Sequence, residues 1–300
     1  ATVGQRIRKR LRTMPPATGA GVLDAKKTLD ATGGDFEQAV KILREKGLAK
    51  VAKRADRQVT EGRVEARFDP GRSGLLVEIN CETDFVGRNE GFVAFARQTA
   101  DHFFAHAGEE KSVADLMAIP LGSDSSKTLS ALLTDMITAT GENVLIRRTV
   151  YYRLGDRPGV VEVYPHPGNR VAVMLELNSA TAAVAQSEGF RSLAHDLALH
   201  IAAMAPLYRT TQDIPAEKLE ALKDGYRAQA LAEGKPERIL DRIIEGRLQK
   251  HFQETVLFEQ PFVKDDEITV EKMFQQRSLA TGEELTVARF VRYQLGEDLD

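Results

Sequence analysis

Six histidines and one cysteine are the side chains of this sequence best suited to bind metal or act as nucleophiles. His102 and His106 stand at i and i+4, which puts both imidazoles on one helix face and suits zinc. No HExxH glutamate accompanies them and no third ligand lies nearby, so they read as an exposed or half-packed pair. His195 and His200 are five apart and share no face. Thiol catalysis at Cys81 needs a histidine partner. Cys81 instead alternates in phase with Val77 and Ile79, as a buried structural thiol does. Gly19-Ala20-Gly21 and Lys26-Lys27-Thr28 faintly outline a phosphate loop, but the glycine before the lysine and the preceding strand are both missing. There is no Gly-x-Ser-x-Gly and no EF-hand loop, and no catalytic pair stands out among 44 acidic residues. A different kind of chemistry is left in Thr83-Asp84-Phe85-Val86. A ring projecting from a strand-to-helix loop is a candidate anchor for a partner's pocket. The alternative is a phenylalanine folded back onto its own core, and composition does not decide between them. Asp84 has an alternative of its own, as a helix-start cap.

The elements around that segment follow from periodicity. Val64, Ala66 and Phe68 alternate with Arg63, Glu65 and Arg67, and a turn at Asp69-Pro70-Gly71-Arg72-Ser73-Gly74 leads into Leu75, Val77, Ile79 and Cys81. This is a hairpin. Asn89 is placed to cap the next helix, which carries Phe92, Phe95, Ala96 and Phe103 and leaves Phe85 outside it. Strand patterns return at residues 144–153, 160–164 and 171–177, followed by a helix with Phe190, Leu193, Leu197 and Ile201. Sheet followed by helix, twice, predicts an α+β fold with two related core subdomains, although no residue-level repeat is visible. Leu219, Leu222 and Tyr226 face Leu240, Ile243, Ile244 and Leu248 across Glu233-Gly234-Lys235, which predicts an antiparallel helical hairpin over about residues 213–250. Thr269 is placed to cap a last short helix carrying Val270 and Phe274.

Before residue 58 the pattern is helical. Val3, Ile7 and Leu11 recur at helical spacing until Pro15-Pro16. A turn at Thr18-Gly19-Ala20-Gly21 precedes a second helix, ended by Gly33-Gly34. Asp35 and Gln38 open a third helix, which Gly47 is expected to end. Residues 48–55 continue as a basic helical stretch, so the head reads as a three-helix module on a linker. Residues 1–55 hold 13 Lys/Arg and 5 Asp/Glu within a chain of net charge −3, so the remainder carries −11. A basic head suggests an anionic or nucleic-acid partner, against the plainer reading of solvated helix faces. The expected division is a helical head at 1–57, core subdomains at 58–150 and 151–263, and a short C-terminal helical module at 264–300.

Composition narrows the classes further. With 42% apolar and 28% charged residues the chain has an ordinary globular balance. A single cysteine leaves no intrachain disulfide and no cysteine zinc site. The most apolar stretch, residues 198–207, is about half a membrane span and contains His200 and Pro206. No apolar segment follows the basic N-terminus, so no signal peptide is expected. A soluble, reducing, cytoplasmic setting is expected.

Two segments carry a specific resemblance. Residues 18–29 read TGAGVLDAKKTL and residues 78–88 read EINCETDFVGR. Both resemble the signature segments of the bacterial elongation factor Ts family. TGENVLIRR (140–148), YPHPGNRVAV (164–173), HIAAMAP (200–206), EGKPERI (233–239), IIEGRLQK (243–250) and QPFV (260–263) follow in the family's order and extend the resemblance over nearly the whole chain. There are departures. The Thr13-Met14-Pro15-Pro16-Ala17 stretch after Leu11-Arg12 is longer than usual. Val22-Leu23 replaces a frequent Met-Met, and Thr28 stands where a small apolar residue is common. Gly87 replaces the usual Ala or Ser, and Pro167 the usual Gly after His166.

The resemblance implies a guanine nucleotide exchange factor in translation elongation, not an enzyme, with no cofactor or metal of its own. Its partner would be elongation factor Tu, in GDP-bound and nucleotide-free forms. The head would be ubiquitin-associated-like and dock on the GTPase nucleotide domain through Arg12, Val22 and Leu23, although Leu23 also suits the head's own core. Thr83, Asp84, Phe85 and Val86 would form the wedge, with Asp84 and Phe85 intruding beside the magnesium and phosphates of bound GDP. Gly141 and His166 would face the GTPase; the alternative for His166 is a polar turn residue. The C-terminal tail would form a further docking helix, and the hairpin could pair two copies. The rival is a basic-headed RNA-binding or adaptor protein, which a steep salt dependence of RNA binding would favour. The head's only aromatic residue, Phe36, lies on its packing stripe, which weakens that rival, so no direct nucleic-acid partner is expected.

Overall fold

A computed structural model describes residues 22–52, 54–122 and 128–299. The first predicted head helix, Arg12, the Pro15-Pro16 stop and the Thr18 to Gly21 turn lie outside them. The described head is a pair of helices, α1 (Val22–Ala31) and α2 (Phe36–Ala52). Ala25, Leu29, Ala39 and Leu43 are buried between them, with Phe36 and Val40 packed alongside. Gly33 and Gly34, both at positive φ, make the turn, and the Asp35 carboxylate accepts from the Gln38 N–H at 3.1 Å.

Two units follow. The first runs β1 (Glu61–Asp69), β2 (Ser73–Cys81), α3 (Asp84–Arg88), α4 (Glu90–Ala105), α5 (Val113–Met117), α6 (Leu129–Thr140) and β3 (Val144–Arg153). The second runs β4 (Gly159–Pro165), β5 (Val171–Asn178), α7 (Ala182–Ala185), α8 (Glu188–Met204), α9 (Ala216–Ala232), α10 (Leu240–Thr255), β6 (Pro261–Phe262), β7 (Asp265–Thr269), α11 (Val270–Thr281) and β8 (Thr286–Gln294). The strand orders are β1-β2-β3 and β4-β5-β8, antiparallel throughout.

The layers are helix, sheet, sheet, helix. Phe92, Phe95, Ala96, Ala100 and Phe103 of α4 cover Leu75, Val77, Ile79 and Cys81 on one face of β2. Phe190, Leu193, Leu197 and Ile201 of α8 cover β5 in the same way. Each fully buried phenylalanine contributes about 2–3 kcal/mol. The inner sheet faces meet through Val64, Leu76, Tyr152, Val161, Ala172, Met174, Tyr293 and Leu295. They approach so closely that a Cβ on Gly74 would clash with the Val163 side chain and lie 2.6 Å from the Met174 sulfur. Every residue of β2 is therefore buried, and Glu78 and Asn80 lie inside the protein.

The alternating strands, the two long helices and the hairpin stand as the sequence predicts. Ala230, Leu240, Ile244 and Leu248 are buried between α9 and α10, so the hairpin's stripe is occupied by its own two helices. Thr269 caps α11, its hydroxyl accepting from the Lys272 N–H at 3.2 Å. Among the described residues no helix is long and apolar enough to cross a membrane.

Four expectations are corrected. Gly47 does not end its helix. A Cβ there would meet Thr138 Oγ1 at 3.2 Å and Thr134 Cγ2 at 3.4 Å, so the glycine lets α2 approach α6. The head consequently packs on the first unit instead of hanging from a linker, with Arg54 donating to the Ile137 carbonyl at 2.9 Å. Residues 264–300 are not a helical module of their own: β8 completes the second sheet against β5, and α11 packs on α8. Finally, a residue-level repeat exists. Glu90-Gly91-Phe92 returns as Glu188-Gly189-Phe190, and Thr140-Gly141-Glu142 as Thr281-Gly282-Glu283. Glu78 and Glu176 are both buried at a strand irregularity, each accepting from its own unit's arginine, Arg148 at 2.6 Å and Arg289 at 2.9 Å. The second copy contains α9 and α10, which separate its two halves and hide the repeat from a constant-spacing search.

Candidate functional site

The Thr83 to Val86 segment is one helical turn, not a loop. Thr83, extended at φ −124°, caps α3 and its hydroxyl accepts from the Val86 N–H at 3.4 Å. Asp84, the first residue after the cap, pairs with Arg88 at 3.1 Å across the turn. Asn89 caps α4 as expected, accepting from the N–H groups of Gly91 and Phe92 at 2.8 and 3.4 Å. Val86 faces the core under α4. Phe85 points the other way and is 84% exposed, the most exposed of the large apolar side chains described. The alternative in which it folds back onto its own core is thereby removed. Exposing such a ring forgoes about 2 kcal/mol of burial.

The mount beneath Phe85 is held from several sides. The Glu142 carboxylate accepts from the N–H groups of Glu82 and Thr83, both at 3.1 Å, and from the Thr83 hydroxyl at 2.6 Å. Gly141, at φ 77°, ends α6 and turns the chain into that contact. The Asn143 N–H donates to the Glu82 carboxylate at 2.6 Å, and its amide group donates to the Ala55 and Arg57 carbonyls. The chain leaving the head is thus tied to the same loop. Gly87 is buried, and a Cβ there would lie 3.5 Å from Gly62, ordinary contact that leaves room for a small side chain. Beneath the mount the Cys81 thiol donates to the Thr83 carbonyl at 3.2 Å. Burial pushes that thiol up to about 12. It is a structural thiol, as its position in the strand pattern predicts.

The structure brings Thr83, Asp84, Phe85, Val86 and Gly141 together through the Glu142 contacts, while Leu23 and His166 belong to other elements. Leu23, on α1, is 71% exposed and, among the described residues, is not part of the head's core. The Val22 side chain and Arg12 lie outside the described part. His166 sits in the exposed β4–β5 turn of the second unit, where its Nδ1 meets the Tyr164 hydroxyl at 3.0 Å. A groove beside it is lined by Tyr164, Val171, Leu199, Ala202 and Val263. Sequence reading missed Glu142; its only signal was its place inside the TGENV segment.

His102, His106 and His200 are held in contacts within the chain. His102 is buried, against the expectation of an exposed or half-packed pair, and meets the Leu116 carbonyl at 3.2 Å. His106 Nδ1 lies 2.9 Å from the His102 carbonyl. Buried His200 accepts at Nδ1 from the Val263 N–H at 3.1 Å, which leaves Nε2 to donate to the Gln260 side-chain oxygen at 2.8 Å. Burial holds His200 below the usual histidine range, despite the Gln260 bond. The HIAAMAP and QPFV segments therefore meet in the second core. Among the described residues no group of three His, Cys, Asp or Glu is placed to hold a metal ion.

A protruding apolar side chain on a fixed mount, on a layered α+β body, has the form of a protein-docking anchor. A family model described as elongation factor TS matches residues 82–297. The chain is 41% identical to elongation factor Ts of Trichlorobacter lovleyi over 285 residues, covering 95% of this chain and 90% of the relative. It is 42% identical to that of Symbiobacterium thermophilum over 284 residues, covering 94% and 90%. With that of Nostoc sp. it shares 39% identity over 294 residues, covering 97% and 93%. This chain belongs to the elongation factor Ts family of translation elongation factors.

Proposed function

We propose that this chain is the exchange factor of elongation factor Tu and promotes release of its GDP, making and breaking no covalent bond itself. The observation that carries the reading is Phe85, almost fully exposed on a one-turn helix whose first residues are held by Glu142. A ring presented in this way reaches a partner's pocket without first leaving its own core. The wedge is Thr83, Asp84, Phe85 and Val86: Val86 anchors the turn, Thr83 caps it, and Asp84 and Phe85 enter beside the magnesium and phosphates of GDP. Leu23, together with Arg12 and Val22, docks the nucleotide domain, while Gly141 and His166 face other parts of the GTPase.

The mechanism is linkage. The chain shifts the GTPase only through differential affinity for its states. It binds the nucleotide-free form more tightly than the GDP form, so it weakens GDP by the same factor that GDP weakens it. Backbone amides and the metal ion hold the GDP phosphates. A wedge that displaces their supports lowers GDP affinity and shortens its residence. Calorimetric titration of the chain into nucleotide-free and GDP-saturated elongation factor Tu tests this. Tighter binding to the nucleotide-free form is expected, and equal affinity for the two forms contradicts the reading.

A further inference from the structure

The two units carry the same lock on opposite turns. In the first, Glu142 takes the N–H groups of Glu82 and Thr83 and the Thr83 hydroxyl. In the second, Glu283 takes the N–H groups of Ala180 and Thr181, both at 3.0 Å, and the Thr181 hydroxyl. Each glutamate follows a left-handed glycine that ends a helix, Gly141 at φ 77° and Gly282 at φ 72°. Each donates its own N–H to the threonine two residues earlier at 3.3 Å. Thr83 and Thr181 both cap a short helix, and Asn89 and Ser187 cap the long helix six residues further on. One difference matters. Where the first turn carries Asp84 and Phe85, the second carries Ala182 and Ala183.

A five-residue helix does not hold itself in water, because its nucleus costs more than its few hydrogen bonds return. The direction of Phe85 therefore depends on what grips the start of its turn. Glu142 grips it with three charge-assisted bonds, two and three residues before the ring. Glu142 sits on a loop that is itself tied to the chain leaving the head through Asn143. We infer that Glu142 is a positioning residue for nucleotide exchange, aiming Phe85 through Thr83, while its twin Glu283 makes the same lock on a turn with nothing to aim. The inference rests on the exchange reading above. It assigns the wedge's precision to a residue outside the wedge.

The twin supplies the control. Glu142→Ala and Glu283→Ala, each in the full chain, remove equivalent bonds and should lower the melting temperature by similar amounts. Release of a fluorescent GDP from elongation factor Tu is then followed against factor concentration, with wild type and Phe85→Ala alongside. Glu142→Ala should lower the maximal release rate roughly tenfold, as a misaimed group does, with a much smaller change in the half-saturating concentration. Glu283→Ala should keep the wild-type maximum. The inference is overturned if Glu142→Ala keeps the wild-type maximum, or if Glu283→Ala loses as much. Should either alanine variant fail to fold, the pair Glu142→Gln and Glu283→Gln keeps the side-chain volume and is judged by the same difference. Failure of wild type itself to accelerate release would overturn the exchange reading, a separate result.

Discussion

The Arg148 guanidinium of the first unit lies 3.9 Å from the centroid of the Tyr293 ring of the second, and Arg289 of the second lies 4.2 Å from that of Tyr152 of the first. The exchange is reciprocal, and each arginine also neutralises a buried glutamate in its own sheet. The two sheets are thus joined by an apolar layer with a matched ion pair and ring contact built from each side. Such contacts between a cation and a ring gain strength as water is excluded.

Removing one such arginine should be costly. Arg148→Met leaves Glu78 buried with Arg147, Asn80 and the Gly296 N–H as its remaining partners. We expect a loss of about 3 kcal/mol in urea unfolding. Arg148→Lys keeps the charge but not the flat fork, and should lose about half of that. Burial pushes the Glu78 carboxyl upward, but the Gly296 N–H, Asn80 and Arg148 outweigh it and hold the group below its usual value of 4.5. A lowered carboxylate stabilises the fold above its unfolded pKa, and that stability is lost as pH falls through the folded value. Arg148→Met should therefore flatten the acid limb of the stability curve below about pH 4.5. An unchanged acid limb would show that the pair is not what holds Glu78 ionised.

Docking of the head has the opposite dependence. Asp135 lies on α6, the helix against which α2 packs, and burial raises its carboxyl from 3.8 to about 6, with Arg44 only partly opposing it. A raised carboxyl binds its proton more tightly in the folded form. Folding is favoured below pH 4, and stability falls as pH rises between about 4 and 6. Asp135→Asn removes the charge that is disfavoured there. It should stabilise the protein at pH 7.5 by about 1 kcal/mol, after discounting for partial exposure, and have little effect near pH 4. Melting temperatures of both proteins across that range check the sign.

Cys81 should be nearly silent to thiol reagents. It is fully buried, donates to the Thr83 carbonyl, and its thiol is pushed up to about 12. At pH 8 an aromatic disulfide reagent should modify the native chain orders of magnitude more slowly than the urea-unfolded chain, because the thiolate is the nucleophile. Rapid native labelling would mean that the floor beneath Phe85 opens readily.

Much of this was legible in the residues. Alternation from Val64 to Cys81 and from Val171 to Leu177 fixed the strands, because each has one face turned to a long helix. The caps Asn89 and Thr269 were legible as well, because capping is local chemistry. Gly47 misled because a helix glycine looks the same in sequence whether it ends the helix or admits a neighbour. Residues 264–300 misled because Thr286 to Gln294 pair with β5, more than a hundred residues earlier, a choice that local pattern does not encode. The repeat was hidden by the hairpin inside one copy. At the candidate site, Phe85 could be named from its segment but its exposure could not, since an exposed and a buried phenylalanine have the same neighbours in sequence. Glu142 was unreadable for the same reason as β8: its partner Thr83 is 59 residues away.

The most direct measurement is stopped-flow release of a fluorescent GDP from elongation factor Tu, with wild type and Phe85→Ala at matched, saturating concentrations. The account predicts that wild type accelerates release and that Phe85→Ala is weaker by roughly tenfold or more, in keeping with the loss of a buried aromatic anchor at an interface. Equal acceleration by the two proteins would remove Phe85 as the lever, and no acceleration by wild type would contradict the exchange function altogether.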